Sequence, residues 1–402
     1  MMLFWTIRVL AGMFVLLLAP LFVDIAVSLV GNLRRRSGQR AACRVIRLAA
    51  VVPAHDEEIQ IARTVSSLFH AGFVAAVSSD DDFKPRVFVV AHNCTDATAE
   101  RAAEAGAVVV RLDDATQCGK GAALRAGFRA ARASGANACM VVDADSVSST
   151  NLLEAMRSAL ASGEEAVQCR YELDLPTNTG VFSLPRLRAL AFRGINVLRG
   201  RGRAGAGLSA GLFGNGFALS EEALERVPFA VDSICEDLEY HARLVAAGIR
   251  VGWVEETSVY APLARAGVAQ ARQEARWEGG RFRVAALSTG PLLSAAFRGN
   301  LCAVGILAEV WSLPTARGVL CLLLSALLPV PWLRGFALVC LCLLVLYVVG
   351  AAMLGKEPCK DLAALSMAPL HILWKVALTP LVVLHMRRRT AWIRTARETP
   401  RP

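Results

Sequence analysis

The sequence predicts an α/β protein with a mostly parallel sheet, bracketed near its two ends by membrane-spanning helices. Three observations predict it. Apolar runs long enough to cross a bilayer lie near both ends, short β-branched runs alternate with amphipathic stretches in the middle, and polar clusters recur where the predicted strands stop. A chain of 402 residues suits one large domain plus membrane elements.

The first element is the apolar run "VLAGMFVLLLAPLFVDIAVSLVG" (Val9 to Gly31), followed by "NLRRRSGQR". At about 1.5 Å rise per residue it can span the ~30 Å hydrocarbon core of a bilayer. A cleaved signal peptide is the other reading, but the apolar core exceeds the usual h-region of about 7 to 15 residues and arginines stand where a cleavage site is expected. A second apolar block, Gly318 to Leu354, is split by "PVPWLRG" and predicts a hairpin of two spans. Arg34, Arg35 and Arg36 flank the first span and Arg387, Arg388 and Arg389 lie near the C-terminus. Both clusters, and the chain from Asn32 to Arg317, are then expected on the cytoplasmic side of the inner membrane. Leu292 to Leu313 and Leu362 to His385 read as interfacial helices, the latter with Lys375 at its surface. The expected organisation is an anchor over 1–31, a cytoplasmic globular domain over 44–285, an interfacial region over 290–317, a transmembrane hairpin over 318–355, and an interfacial helix with a basic tail over 361–402.

The formal net charge of +10 is partly these juxtamembrane clusters, which points to an anionic membrane surface. No zinc-finger, RNP or helix-turn-helix signature supports nucleic acid. The 11 cysteines are scattered singly without a C-x-x-C pair, as expected of small buried hydrophobes in a reducing compartment.

In the middle, "RVIRLAAVVPA" (Arg44 to Ala54), "PRVFVVA" (Pro85 to Ala91), "AVVVRL" (Ala107 to Leu112) and "ACMVVDA" (Ala138 to Ala144) read as buried strands. Helical faces follow, one marked by Ile59, Ala62, Val65 and Phe69, another by Leu124, Phe128 and Ala131. This βαβα alternation implies a mostly parallel sheet covered on both faces, with ligands at the carboxyl ends of its strands. Later, "EEAVQCRYEL" and "RVGWVEE" read as strands, and the Gly- and Arg-rich run Arg199 to Gly216 as a mobile loop lining a site.

The strand ends carry the candidate chemistry. "VVPAHDEE" puts His55, Asp56, Glu57 and Glu58 where a helix begins, with N-capping as the bland alternative. "AHNCTDAT" adds Asp96, which can cap a helix or reach a nucleotide. "CGKGAALRAGF" presents Lys120 between glycines at a helix start, suited to a phosphate, though the Walker A spacing is absent. "CMVVDADS" holds Asp143 and Asp145 at a strand end. Two such carboxylates can bind a hard divalent cation together with phosphate oxygens, or simply form a turn. "ICEDLEYHARL" places Glu236 and Asp237 at a helix start, and "RQEARWEGGR" supplies Gln273, Arg276 and Trp277. Capping and a solvated amphipathic helix are the respective alternatives.

Taken in order, strand-PAHDE, CTDAT, GKG, strand-DAD, a GNG loop, an ED pair and Q-x-x-R-W, followed by membrane helices, resemble the membrane-bound family 2 glycosyltransferases. That group includes cellulose, hyaluronan and poly-N-acetylglucosamine synthases and related exopolysaccharide enzymes. The resemblance covers roughly Leu48 to Arg281. It implies a GT-A fold, a Rossmann-like nucleotide half fused to an acceptor half, with membrane helices on either side. It further implies that Ala54, Asp56 and Glu57 line the nucleotide pocket, with Asp96 and Lys120 near the uracil and diphosphate. Asp143 and Asp145 match the D-x-D that holds Mg2+ or Mn2+, Asp145 being the expected direct ligand. Asp237 matches the general base, and Glu236 and Asn215 fall on the acceptor side. Gln273, Arg276 and Trp277 match the motif that embraces the diphosphate and the acceptor sugar.

The implied partners are a nucleotide-sugar donor, UDP-linked by expectation, a glycan or lipid acceptor, the membrane, and a possible export or polymerisation partner. Two departures bear on this. Where many relatives carry an acidic pair at the end of the second strand, this chain has Ala91 and His92, which loosens the nucleobase assignment. Three spans are few for a polymer channel, which favours adding one or few sugars, or export through a partner. Capping of a membrane lipid, a non-catalytic scaffold and a nucleotidyltransferase are the competing readings. The last leaves the ED pair and Q-x-x-R-W unexplained.

Overall fold

The structure is a computed structural model and describes residues 2–34, 44–74, 84–114, 116, 119–231, 233–263 and 267–387. Arg35, Arg36, Cys118, Arg388 and Arg389 of the stretches above lie outside the described residues. The chain divides into two compact units. One holds the sheet, within Arg36–Asp174 and Ser209–Gln273; the other is helical, comprising Met1–Arg35, Leu175–Leu208 and Glu274–Arg387.

The sheet has eight strands: β1 (Leu48–Ala54), β2 (Val87–His92), β3 (Val108–Leu112), β4 (Ala138–Val141), β5 (Val147–Ser148), β6 (Ala166–Asp174), β7 (Phe217–Ser220) and β8 (Val251–Pro262). Their spatial order is β3-β2-β1-β4-β7-β6-β8-β5. β3, β2, β1 and β4 run parallel, as expected of β-branched runs joined by helices. β7 enters antiparallel between β4 and β6, which restores the parallel direction for β6 and β8. β1, β2 and β4 are buried along their whole length because helices cover both faces.

Two apolar layers sandwich the sheet. One is built on Leu48, Ala50 and Val52 with the helix Ile61–His70, the other on Ala49, Val51 and Val90 with the helix Lys120–Ala133. In the first helix the buried face is Ile61, Thr64, Val65 and Leu68, while Ile59 and Ala62 are exposed. The expected face was offset because the helix starts after Gln60, later than the apolar spacing suggests. Leu124, Phe128 and Ala131 are buried as expected.

The expected loop Arg199 to Gly216 is two structures. Gly194–Arg199 is a π-helical turn and Gly200–Gly205 an α-helix, both in the helical unit, and only the later part is a loop at the sheet. The reason is packing. A Cβ on Gly202 would lie 2.1 Å from the Ser28 carbonyl oxygen, and one on Gly31 would lie 1.8 Å from the Gly202 oxygen. Glycine here lets two helical backbones touch, as small residues do in apolar helix pairs. Charge reinforces the contact: Arg203, almost fully buried, bonds Asp24 at 2.7 Å and also Glu309, and Arg199 reaches Glu309 at 3.0 Å.

Among the described residues two helices are long and apolar enough to cross a membrane, Trp5–Leu33 and Pro331–Met353. Leu301–Trp311 and Thr315–Leu327, bent by 77° at their junction, would add a third span if they form one broken span. Thr315–Leu327, the first half of the expected hairpin, has 13 residues. That is about 20 Å of helix, short of the ~30 Å apolar core. Within Leu362 to His385 the chain breaks into short helices, including Ala368–Ala377. Lys375 is not displayed to solvent there: it pairs with Glu274 and with Glu278, the latter at 2.9 Å, and is 16% exposed.

Replacing Gly202 with valine is expected to destabilise the protein by about 1–3 kcal/mol or more, because the facing atoms are backbone and cannot move aside. Thermal unfolding in detergent, compared with the wild type, measures it.

Candidate active site

The site forms at the carboxyl ends of β1, β2 and β4, where successive backbone ladders end and side chains can converge. Lys120 is the first residue of the helix Lys120–Ala133. The glycine after it is a steric requirement, since a Cβ on Gly121 would lie 2.4 Å from the Val231 carbonyl oxygen. The Lys120 ammonium lies 2.6 Å from Asp143 Oδ1, donates to the Gly214 carbonyl at 2.6 Å, and lies 3.7 Å from Glu236 Oε1. Asp237 joins from the start of the helix Glu236–Ala246, where its Oδ1 accepts from the Leu238 N–H at 2.8 Å. A Cβ added to Gly214 would be 3.2 Å from Asp237 Oδ2 and 3.6 Å from Lys120 Nζ, so that glycine sits against both groups. Residues from four separate segments thus form one cluster.

Asp143 is therefore not a simple turn former, because its carboxylate faces Lys120. Its own N–H donates to Asn215 Oδ1 at 3.1 Å, and Asn215 Nδ2 donates to Ser146 Oγ at 2.8 Å. Ser146 Oγ donates in turn to Asp145 Oδ1 at 3.3 Å. Asp145 is 4% exposed, and the Thr64 hydroxyl holds the turn by donating to the Ala144 carbonyl at 2.8 Å. Two carboxylates on one turn give an all-oxygen donor set, which fits a hard divalent ion such as Mg2+ or Mn2+.

Asp56 and Asp96 lie at the ends of β1 and β2 and tie them together. Asp56, at a left-handed φ of 54°, accepts from the Thr95 N–H at 2.7 Å instead of capping the following helix. Asp96 accepts from the N–H groups of Glu58 at 3.1 Å and Thr98 at 3.0 Å. The Glu57 N–H donates to Thr98 Oγ1 at 2.7 Å, and the buried Ala54 offers its carbonyl to the Cys94 thiol at 3.6 Å. Asp56, Cys94 and Asp96 offer ligand atoms within 4.8 Å of one another. Both carboxylates are already spent on backbone N–H groups, and that fastening is their evident role. His55 Nδ1 is 2.8 Å from the His92 carbonyl oxygen, so the residue at the departing position is part of the same seam.

Gln273, Arg276 and Trp277 lie on the long helix Val268–Phe297. The boundary between the units falls after Gln273, which groups Gln273 with the sheet and Arg276 and Trp277 with the helical unit. Trp277 is 49% exposed. Two further residues escape sequence reasoning, Gln168 and Tyr171 on β6. Burial, with the nearby Asp143 carboxylate, pushes the Tyr171 hydroxyl above its ordinary value, so it remains a proton donor beside Asn215. The only signal for either was a polar side chain inside an apolar strand.

Lys120 is held above its ordinary value: burial pulls it down, but Asp143 and Glu236 outweigh burial. Glu236 is pushed up to about 7, by burial first, partly offset by Lys120 and reinforced by Asp237. A carboxyl whose folded value lies above its ordinary 4.5 binds its proton more tightly when folded. Its contribution is therefore fully present below that ordinary value and is lost as pH rises towards 7. Chelator-treated protein is expected to lose on the order of 2 kcal/mol over this window, and Glu236→Gln to lose less. Denaturant unfolding at a series of pH values measures the difference.

Comparison with known proteins closes the case for the family. The model described as glycosyltransferase like family 2 matches residues 46–280, more than half of the chain. A comparison with curated proteins returned no match. Among solved structures, a mannosyltransferase from Pyrobaculum calidifontis in complex with GDP-Man and Mn2+ is 16% identical with a TM-score of 0.52, over 92% of this chain and 99% of that one. Glucosyl-3-phosphoglycerate synthase from Mycobacterium tuberculosis, in complex with Mn2+, UDP and phosphoglyceric acid, is 21% identical with a TM-score of 0.40, over 65% of this chain and 84% of that one. The sheet of this chain is a GT-A glycosyltransferase fold. With its strand-end motifs inside the matched region, the chain belongs to glycosyltransferase family 2.

Proposed function

We propose that this glycosyltransferase is inverting and metal-dependent, and moves a sugar from a nucleoside diphosphate to a glycan or lipid-linked glycan at the cytoplasmic face of a membrane. The observation that carries it is the convergence of Asp143, Lys120, Glu236 and Asp237 around Gly214. Departure of a nucleoside diphosphate develops negative charge, and attack by a hydroxyl releases a proton. The cluster contains a cation for the first and a carboxylate for the second.

In this reading Asp145 and Asp143 hold Mg2+ or Mn2+, which when bound would neutralise charge on the diphosphate. Lys120 adds fixed positive charge as the leaving group departs. Asp237 accepts the proton of the attacking hydroxyl, a contribution of typically about 10² to 10⁴ in rate. A base placed opposite the leaving group gives a single in-line displacement, so an α-linked donor yields a β-linked product. Ala54, Asp56, Glu57 and Asp96 border the nucleobase side, with UDP as the expected nucleotide. Asn215 and Glu236 border the acceptor, and Gln273 assists at the diphosphate.

The helices Trp5–Leu33 and Pro331–Met353 are read as the spans, with the sheet unit cytoplasmic, consistent with Arg34 directly after the first span. An exopolysaccharide or a lipid-linked oligosaccharide is the favoured product. A single addition to a membrane lipid is the alternative, supported by there being only two such long apolar helices among the described residues.

Protein purified in mild detergent with Mg2+ or Mn2+, offered radiolabelled nucleotide sugars and total bacterial lipid extract, is expected to transfer label from one donor. Asp237→Asn should lower that rate by about 10² to 10⁴ while retaining Mn2+ binding. Label in organic solvent would identify a glycolipid, and label in a large water-soluble fraction a polymer. Equal turnover by wild type and variant would remove Asp237 as the base.

A further inference from the structure

Gln168 lies on β6 between Val167 and Cys169 and is fully buried. A buried amide is costly unless its hydrogen-bonding groups are used, so an apolar side chain would be the default at such a position. Here they are all used, and mostly on one turn. Gln168 Nε2 lies 2.7 Å from the Asn215 carbonyl, 3.1 Å from that of Gly216 and 2.9 Å from that of Cys169. Its Oε1 accepts from the Phe213 N–H at 3.1 Å. Three of these four partners are backbone groups of the turn Phe213–Gly216, more than forty residues away in sequence.

That turn lies against Lys120, Asp143 and Asp237 of the charged cluster. Its Gly214 carbonyl accepts from Lys120, and its Asn215 side chain holds both the Asp143 N–H and the Ser146 hydroxyl beside Asp145. Gly214 also lies against Asp237, at a left-handed φ of 76° that the loop must be held into. A small displacement of this turn would move the partner of Lys120 and the partner of Asp143 together.

We propose that Gln168 is a positioning residue, whose buried amide pins the Phe213–Gly216 turn and through it sets Lys120 and the Asp143–Asp145 carboxylates. The coupling to catalysis rests on reading this cluster as the donor site. The pinning does not. Gln168 acts only through the turn, since its polar atoms are taken up by backbone.

The test uses the full chain in detergent. Gln168→Met keeps the volume and removes the donors and acceptor; Gln168→Asn keeps the amide but retracts it by one methylene, and serves if the first variant fails to fold. Hydrogen exchange of the Phe213–Gly216 amides is expected to quicken at least about tenfold relative to strands β1 and β4. Mn2+ affinity, read by electron paramagnetic resonance without donor, should weaken several-fold. In a transfer assay kcat should fall by up to about 10²-fold with little change in KM. Unchanged exchange in the turn would overturn the proposal whatever the activity. Quickened exchange with unaltered Mn2+ affinity would overturn the link to the carboxylates, provided Asp145→Asn abolishes Mn2+ binding. If Asp145→Asn binds Mn2+ as the wild type does, the metal reading fails instead, and the exchange data alone decide the pinning.

Discussion

The site depends on one buried cation. Asp143, Glu236 and Asp237 bring three carboxyl groups into a poorly solvated corner, where unpaired charges would cost several kcal/mol each. Lys120 makes the arrangement tolerable by lying between Asp143 and Glu236 and fixing its third direction on the Gly214 carbonyl. The same contacts raise its affinity for a proton, so it remains an ammonium group at any physiological pH. A compact charge on a flexible stem suits a site where a diphosphate must arrive and leave.

Everything that positions that cation is ordinary backbone engineering. The parallel strands β1, β2 and β4 present their carboxyl ends on the same side of the sheet, and the antiparallel β7 follows directly on the turn that carries Gly214 and Asn215. Thr64, Thr95 and Thr98 then stitch neighbouring segments by a few hydrogen bonds, Thr95 through both its N–H and its hydroxyl. Each such bond is worth only about 1 kcal/mol net, but together they leave the acidic side chains little freedom. Preorganised charge of this kind stabilises a developing transition state without reorganisation during the reaction.

The helical unit solves a different problem with the same tools. Asp24 stands inside an apolar helix, where an isolated carboxylate would be expensive, and Arg203 and Arg199 neutralise both it and Glu309. Asp361 likewise receives Arg186 at 3.0 Å and Arg193 at 2.7 Å. These pairs specify which helices meet, whereas the exposed leucines and valines of Pro331–Met353 do not discriminate among neighbours.

Much of this protein is legible in its sequence, for local reasons. β-branched runs must be buried strands, a 29-residue apolar helix is long enough for a bilayer, and carboxylates after a strand must emerge where strands end. That is why Asp56, Asp96 and Asp143 were visible as candidates, while Lys120 and Asp237 stood out at helix starts. The expected loop at Arg199 to Gly216 was misread because its glycines serve helix contact, which is invisible without the partner Ser28 and Gly31. The face of Ile61–His70 was offset for a similar reason, since the helix start is set by the turn after Glu57. Only the tertiary structure decided that Lys120 faces Asp143 and Glu236, that Asp56 binds the Thr95 backbone instead of capping its own helix while Asp96 holds the Glu58 N–H as well as its own helix start, and that Gln168 grips a distant turn. Sequence spacing records what each segment can become; which charges neutralise one another is settled only when segments a hundred residues apart are brought within hydrogen-bond reach.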